Sequence, residues 1–175
     1  PIPCIQLLHC LENEVKGGFS TLVDGFSVSE YLRKNHKDLF KILTKTKVRF
    51  RFVDKTIILE NWGELIELDD NNKIKQVRYS TRLDYVPALE KKELEIFYEA
   101  RKLISDLYSS SKFEIKFRLE KGDLLMMDNH RLLHGRTSYD VSEGKRYLKG
   151  CYIDHDSTEG KLRYLERKFG LKWKK

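Results

Sequence analysis

Residues 122–156 read GDLLMMDNHRLLHGRTSYDVSEGKRYLKGCYIDHD. The stretch contains two strand-like runs joined by a polar hairpin loop. The first run delivers His134, Gly135 and Arg136. The second, residues 145–153, alternates with a period of two, which puts Arg146, Leu148, Gly150 and Tyr152 on one face and Tyr147, Lys149, Cys151 and Ile153 on the other. A buried arginine beside a tyrosine, with a histidine on the neighbouring strand, suits a site for a metal and a carboxylate. The same pattern also fits a core histidine at 134 and a solvent-facing Arg146.

The flanking segments are mostly short strands. Residues 113–119 (FEIKFRL) alternate cleanly, which turns Phe113, Ile115, Phe117 and Leu119 inward. Residues 4–11 (CIQLLHCL) form an apolar run bounded by prolines and by ENE, as expected of a buried strand. Gly17-Gly18 marks a turn, and residues 20–26 a second strand. Ser27 to Glu30 then matches a capping box, with Ser27 as cap of a helix over 28–34. A second helical piece covers 37–43. Residues 48–53 (VRFRFV) and 56–59 are further strands, and 65–68 and 74–79 pair around a polar turn. Residues 90–108 carry Leu94, Phe97, Ala100, Ile104 and Leu107 at helical spacing, and a last helix spans 159–169. Helices come in blocks and do not follow every strand. That excludes a doubly wound parallel sheet and favours a mainly β fold with flanking helices, a jelly roll.

The chain of 175 residues suits one domain with a real core. Its apolar fraction of 40% excludes a disordered tail. No run approaches the roughly 18 apolar residues of a membrane span, and residues 1–11 lack the features of a signal peptide. Three cysteines, Cys4, Cys10 and Cys151, without CxxC spacing argue against a disulfide framework and a zinc module, and for an intracellular compartment. The net charge of +7 could draw nucleic acid, but basic and acidic residues interleave and no recognition motif accompanies them. Only residues 161–175 form a basic run, so the charge is expected to be a solvated face. A small-molecule ligand is the expected partner, with no nucleic acid and no membrane; a homodimer is left open.

IQLLHC, Gly17-Gly18, LVDGF, DNHRLLHGRTSY and RYLKGCYID, in that order and spacing, resemble the gamma-butyrobetaine hydroxylase and trimethyllysine hydroxylase group of the taurine-dioxygenase-like Fe(II)/2-oxoglutarate-dependent oxygenases. The resemblance runs from Pro3 to about Asp156. It implies a double-stranded β-helix, iron and 2-oxoglutarate as cofactor and co-substrate, with ascorbate as a further candidate. It also implies hydroxylation of a trimethylammonium compound of carnitine biosynthesis, in mitochondria or cytoplasm. His134 matches the distal iron-binding histidine of the HGR motif, and a neutral imidazole suits Fe(II). Arg146 matches the arginine that binds the far carboxylate of 2-oxoglutarate, where a planar guanidinium can make two parallel hydrogen bonds. Tyr152 matches an aromatic that helps enclose the trimethylammonium group through its π-face; an ordinary core aromatic is the alternative.

The chain departs from the pattern in one serious respect. The family's other two iron ligands form an HxD motif preceding the segment that matches residues 3–10. Here the HxD is His36-Lys37-Asp38, within a helical stretch where positions two apart point to different sides. It is expected to be polar surface. The chain therefore reads as the C-terminal portion, residues 1–175, of one dioxygenase domain whose HxD part lies elsewhere, or else as a non-catalytic relative that keeps the fold without iron. His130 replaces a tryptophan of the pattern and is expected on a surface turn. His155 is expected in an exposed loop. His9 and Cys10 are expected in the core, and Leu8 as a packing contact.

Overall fold

The computed structural model describes residues 4–171. In chain order the elements are β1 (Ile5–Asn13), β2 (Ser20–Asp24), α1 (Gly25–Asn35), α2 (Lys37–Leu43), β3 (Lys47–Val53), β4 (Ile58–Glu64), β5 (Ile66–Leu68), β6 (Ile74–Val77), β7 (Asp84–Tyr85), α3 (Lys91–Tyr108), β8 (Glu114–Phe117), β9 (Leu124–Asp128), β10 (Leu132–Arg136), β11 (Arg146–Ile153) and α4 (His155–Phe169). All strand pairs are antiparallel. The sheets are β11-β1-β9, β10-β2-β8, β4-β3-β7 and the hairpin β5-β6. The architecture is mainly β with flanking helices, as the turn-rich strand pattern requires.

One core dominates. Val28 and Leu32 of α1, Phe40 and Leu43 of α2, and Phe97, Ala100 and Ile104 of α3 close over Val23, Val48, Leu65, Ile66 and Val77. The spacing of Phe97, Ala100 and Ile104 keeps one stripe of α3 against the sheet, so propensity and packing agree there. Leu94 and Leu107 are only half-buried at the margins of that stripe.

Local chemistry shifts several boundaries. Asp24, not Ser27, caps α1: its carboxylate accepts from the Phe26 amide at 3.0 Å, and Ser27 donates its hydroxyl to the same carboxylate at 2.8 Å. Asp24 wins because it ends β2 in extended backbone, the conformation a cap needs. β4 is longer than residues 56–59 suggested and begins later, because Ile58 to Glu64 ladder along all of β3. α4 starts at His155, four residues early, because Asp154 accepts from the Ser157 amide. It stops at Gly170, whose φ of 63° is the left-handed turn that ends helices.

β1 carries a bulge between Cys10 and Glu12. Leu148 and Arg146, two apart on β11, pair with Cys10 and Asn13, three apart on β1, so the extra residue brings Asn13 onto the Cys10 face. There Asn13 donates to the Leu119 carbonyl at 2.7 Å, and the Cys10 thiol lies 3.4 Å from the same oxygen. Burial pushes that thiol's pKa up.

Candidate functional site

His134 lies in mid-β10, opposite Leu22 of β2, and the row continues to Ile115 of β8. Gly135 follows because the strands are close: a Cβ there would meet the Thr21 hydroxyl at 2.9 Å. His134 lines a cavity of about 620 Å³ together with Gln6, Phe50, Asn61, Tyr79 and Tyr152. It remains solvent-accessible, yet the cavity walls desolvate the imidazole and lower its pKa. The neutral form, with a lone pair for a metal, is favoured. His134 is thus not a core histidine.

Arg146 opens β11 and is half-buried. Its Nη2 donates to the Gly18 carbonyl at 3.4 Å, while its Nε is buried without a hydrogen-bond partner among the described residues. Gly18 makes room, since a Cβ there would stand 3.1 Å from that Nε. Tyr139 carries two guanidinium groups against its ring, Arg136 at 4.4 Å and Arg146 at 5.4 Å from the centroid, and its hydroxyl accepts from Arg136 at 3.3 Å. Burial, and then the like charge of Arg136, lower the Arg146 pKa. Two cations with an unfilled donor make a cluster electrostatically short of an anion.

The two residues are not on adjoining strands, contrary to the sequence reading. β10 pairs with β2 and β11 with β1, so they belong to different sheets. Their link is Arg136, two residues beyond His134 along β10, and the shared Tyr139 ring. His134 and Tyr152 share the cavity; Arg146 is not part of its wall. Tyr152 is 61% exposed, which excludes the core reading. The cavity wall also includes Phe50, Phe52 and Leu59, and the alternation of VRFRFV was the signal that Phe50 and Phe52 share a face. Arg136 and Tyr139 were missed because only tertiary folding brings them to Arg146.

The other candidates are settled by position. His36 sits between α1 and α2, and Asp38 is exposed in the first turn of α2, so that HxD is surface. Cys10 is fully buried, but His9 is only half-buried, opposite Lys149 and Leu124. Leu8 packs over Gly150, where an added Cβ would lie 3.2 Å from its Cδ2. Ile115 is exposed, against the inward expectation for residues 113–119. His130 stands on the β9–β10 turn as expected but is half-buried, and His155 opens α4 where an exposed loop was expected; their ring centroids are 5.0 Å apart. Among the described residues, no trio of ligating side chains within mutual reach includes His134.

Residues 1–152 match the description "Taurine catabolism dioxygenase TauD, TfdA family". Gamma-butyrobetaine dioxygenase from Homo sapiens is 35% identical over 171 residues, covering 95% of this chain and 44% of the relative. Trimethyllysine dioxygenase from Meyerozyma guilliermondii is 33% identical over 168 residues, covering 93% and 41%. The chain thus spans less than half the length of these relatives. The crystal structure of the non-heme iron oxygenase OrfP in complex with Fe and alpha-ketoglutaric acid superimposes with a TM-score of 0.61 at 17% identity, covering 91% of this chain and 47% of that one. On the family match along most of its length, the chain belongs to the TauD/TfdA dioxygenase family.

Proposed function

We propose that this chain is the 2-oxoglutarate-binding, C-terminal portion of an Fe(II)/2-oxoglutarate-dependent dioxygenase that hydroxylates a small trimethylammonium compound, gamma-butyrobetaine or trimethyllysine. The observation that carries the reading is the orphaned Nε of Arg146 beside a second guanidinium. A dicarboxylate end placed there fills the donor and offsets the charge of both arginines. Gly18 keeps the approach clear.

The family's metal fits less completely. His134 offers one neutral imidazole, and one imidazole does not fix the geometry of an Fe(II) ion. No step is therefore assigned to a metal on this chain alone. The residues present bind and shape: Arg146 holds the co-substrate, His134 supplies one ligand position, and Phe50, Tyr79 and Tyr152 wall the cavity with aromatic faces. Tyr152 is the candidate for meeting a quaternary ammonium group. The remaining ligands are assigned to a preceding part of a longer polypeptide, a reading supported by the coverage of the relatives and by the apolar residues left open on the strands. Three free cysteines support a reducing compartment, mitochondrial or cytoplasmic. No helix among the described residues is long and apolar enough to cross a membrane.

Titration calorimetry with 2-oxoglutarate on this chain, and succinate release by the full-length parent with Fe(II) and ascorbate, test the reading. Arg146→Ala is expected to weaken 2-oxoglutarate binding by about 1.5–3 kcal/mol, the worth of hydrogen bonds to a charged group. His134→Ala in the parent is expected to abolish succinate release. Binding indifferent to Arg146 would move the co-substrate elsewhere. A parent that binds 2-oxoglutarate but never turns it over would be a fold-keeping binder.

A further inference from the structure

We propose that Cys4, His130 and His155 form a divalent-metal site, zinc being the best-suited ion, that clamps the start of α4 to the sheet. The three residues are remote in sequence, yet one ligating atom of each lies within 4.8 Å of the other two. All three residues are half-buried.

The fold holds the donors by backbone contacts independent of any metal. The Asn129 amide donates to the Cys4 carbonyl at 2.8 Å, tying the residue before β1 to the β9–β10 turn. The same turn is tightened by the Asp128 carboxylate, which accepts from the His130 amide at 2.9 Å. β1 and β9 pair as far as Ile5 and Asp128, which fixes Cys4 beside His130. His155 arrives from the other side of the sheet order, directly after β11, as the first residue of α4. Its ring meets that of His130 at 5.0 Å and an interplanar angle of 62°. Asp128 Oδ1 stands 3.7 Å from His155 Nε2, which places a carboxylate where it can orient a ligating ring.

The chemistry selects the ion. One thiolate with two imidazoles is a zinc-type donor set, whereas Mg²⁺ and Ca²⁺ prefer oxygen. Bond lengths of about 2.3 Å to sulfur and about 2.0–2.1 Å to nitrogen put tetrahedral ligands roughly 3.3–3.7 Å apart. The donors need to close by only about an ångström, and an exposed helix start can move that far. The fourth position is open to water. None of these residues belongs to the Arg146 or His134 surroundings, so the proposal does not rest on the dioxygenase reading.

A clamp has a mechanical role here. None of the described residues of α4 is buried, although Leu162, Leu165 and Phe169 form an apolar side. A metal bridging His155 to residues 4 and 130 ties the helix to the sheet at its first turn.

Cobalt(II) is the probe, because a bound thiolate adds an intense near-ultraviolet charge-transfer band that nitrogen and oxygen ligands lack. The 175-residue chain, stripped with chelator and titrated with Co²⁺, is expected to show this band at one ion per chain and lose it on adding one equivalent of Zn²⁺. Cys4→Ala is expected to abolish the band. His130→Ala and His155→Ala are each expected to weaken Co²⁺ binding at least tenfold, and Cys4→His to keep the ion without the band. His134→Ala is expected to leave the band intact, which separates this site from the dioxygenase centre. Absence of the band in the unaltered chain overturns the proposal without any variant. So does a band that survives Cys4→Ala, which would come from Cys10 or Cys151, or one lost only in His134→Ala.

Discussion

Leu32, Leu43 and Ile104 are fully buried, whereas Ile58, Ile115 and Met126, side chains of similar size, keep 58–63% of their surface. The first group lies on the inner faces of α1, α2 and α3, packed against one another and the strands. The second lies on β4, β8 and β9, where none of the described elements covers it. Residue type is the same on both sides, so covering elements, not hydrophobicity, decide the difference. Ile115 shares a row with His134, whereas Ile58 and Met126 turn to the faces opposite the cavity residues Leu59 and Tyr152. These uncovered apolar positions support the proposal that the chain is part of a larger fold.

The contrast can be broken by mutation. Phe97→Ala on the covered side is expected to cost about 3–5 kcal/mol in urea unfolding, through lost transfer energy and a residual cavity. Met126→Ala on the open side is expected to stay within about 0.5 kcal/mol. A large effect at Met126 would mean that the strand face is covered in solution, and the comparison would fail.

Asp24→Ala is expected next, at about 1–2 kcal/mol, because it removes the α1 cap. Its pKa carries the acid sensitivity. Burial raises it, but the hydrogen bonds from Arg131 and Ser27 outweigh burial and hold the carboxyl below the usual range. The folded state then binds the proton less readily than the unfolded chain. The contribution is therefore present above the ordinary aspartate value and lost as pH falls through the depressed one. An Asp24→Ala chain is expected to show a shallower loss of stability in that acid window.

The smallest effect concerns His134. Desolvation lowers its pKa, so NMR titration of its ring is expected to show a midpoint below that of an unfolded reference peptide. Its stability contribution runs in the same direction as that of Asp24, present above the ordinary histidine range and lost as pH falls through the lowered value. If the proposed longer polypeptide covers the face that His134 shares with Ile115, the midpoint in that apo protein is expected to fall further. An unchanged midpoint would place the covering elsewhere.

Much of this organisation is legible in residue order. The stripe of Phe97, Ala100 and Ile104 and the alternation around Arg146 each follow from a single period. Ile115 shows the limit: alternation tells which residues share a face, not whether that face is covered. The Asp24 cap was hidden because Ser27 and Glu30 offer an equally good local pattern. Only the end of β2 decides between them. Cys4, His130 and His155 share no sequence spacing at all, and two hydrogen-bonded strands were needed to bring the first two together.

The bulge in β1 makes the chain tolerant of one particular kind of change. Deleting Leu11 would restore a flat ladder in which Cys10 and Asn13, then two apart, still face the same way opposite Leu148 and Arg146. The Asn13 amide keeps its line to the Leu119 carbonyl, and the Cys10 thiol stays inside. The loss of one residue is absorbed by pairing that already exists on either side of it.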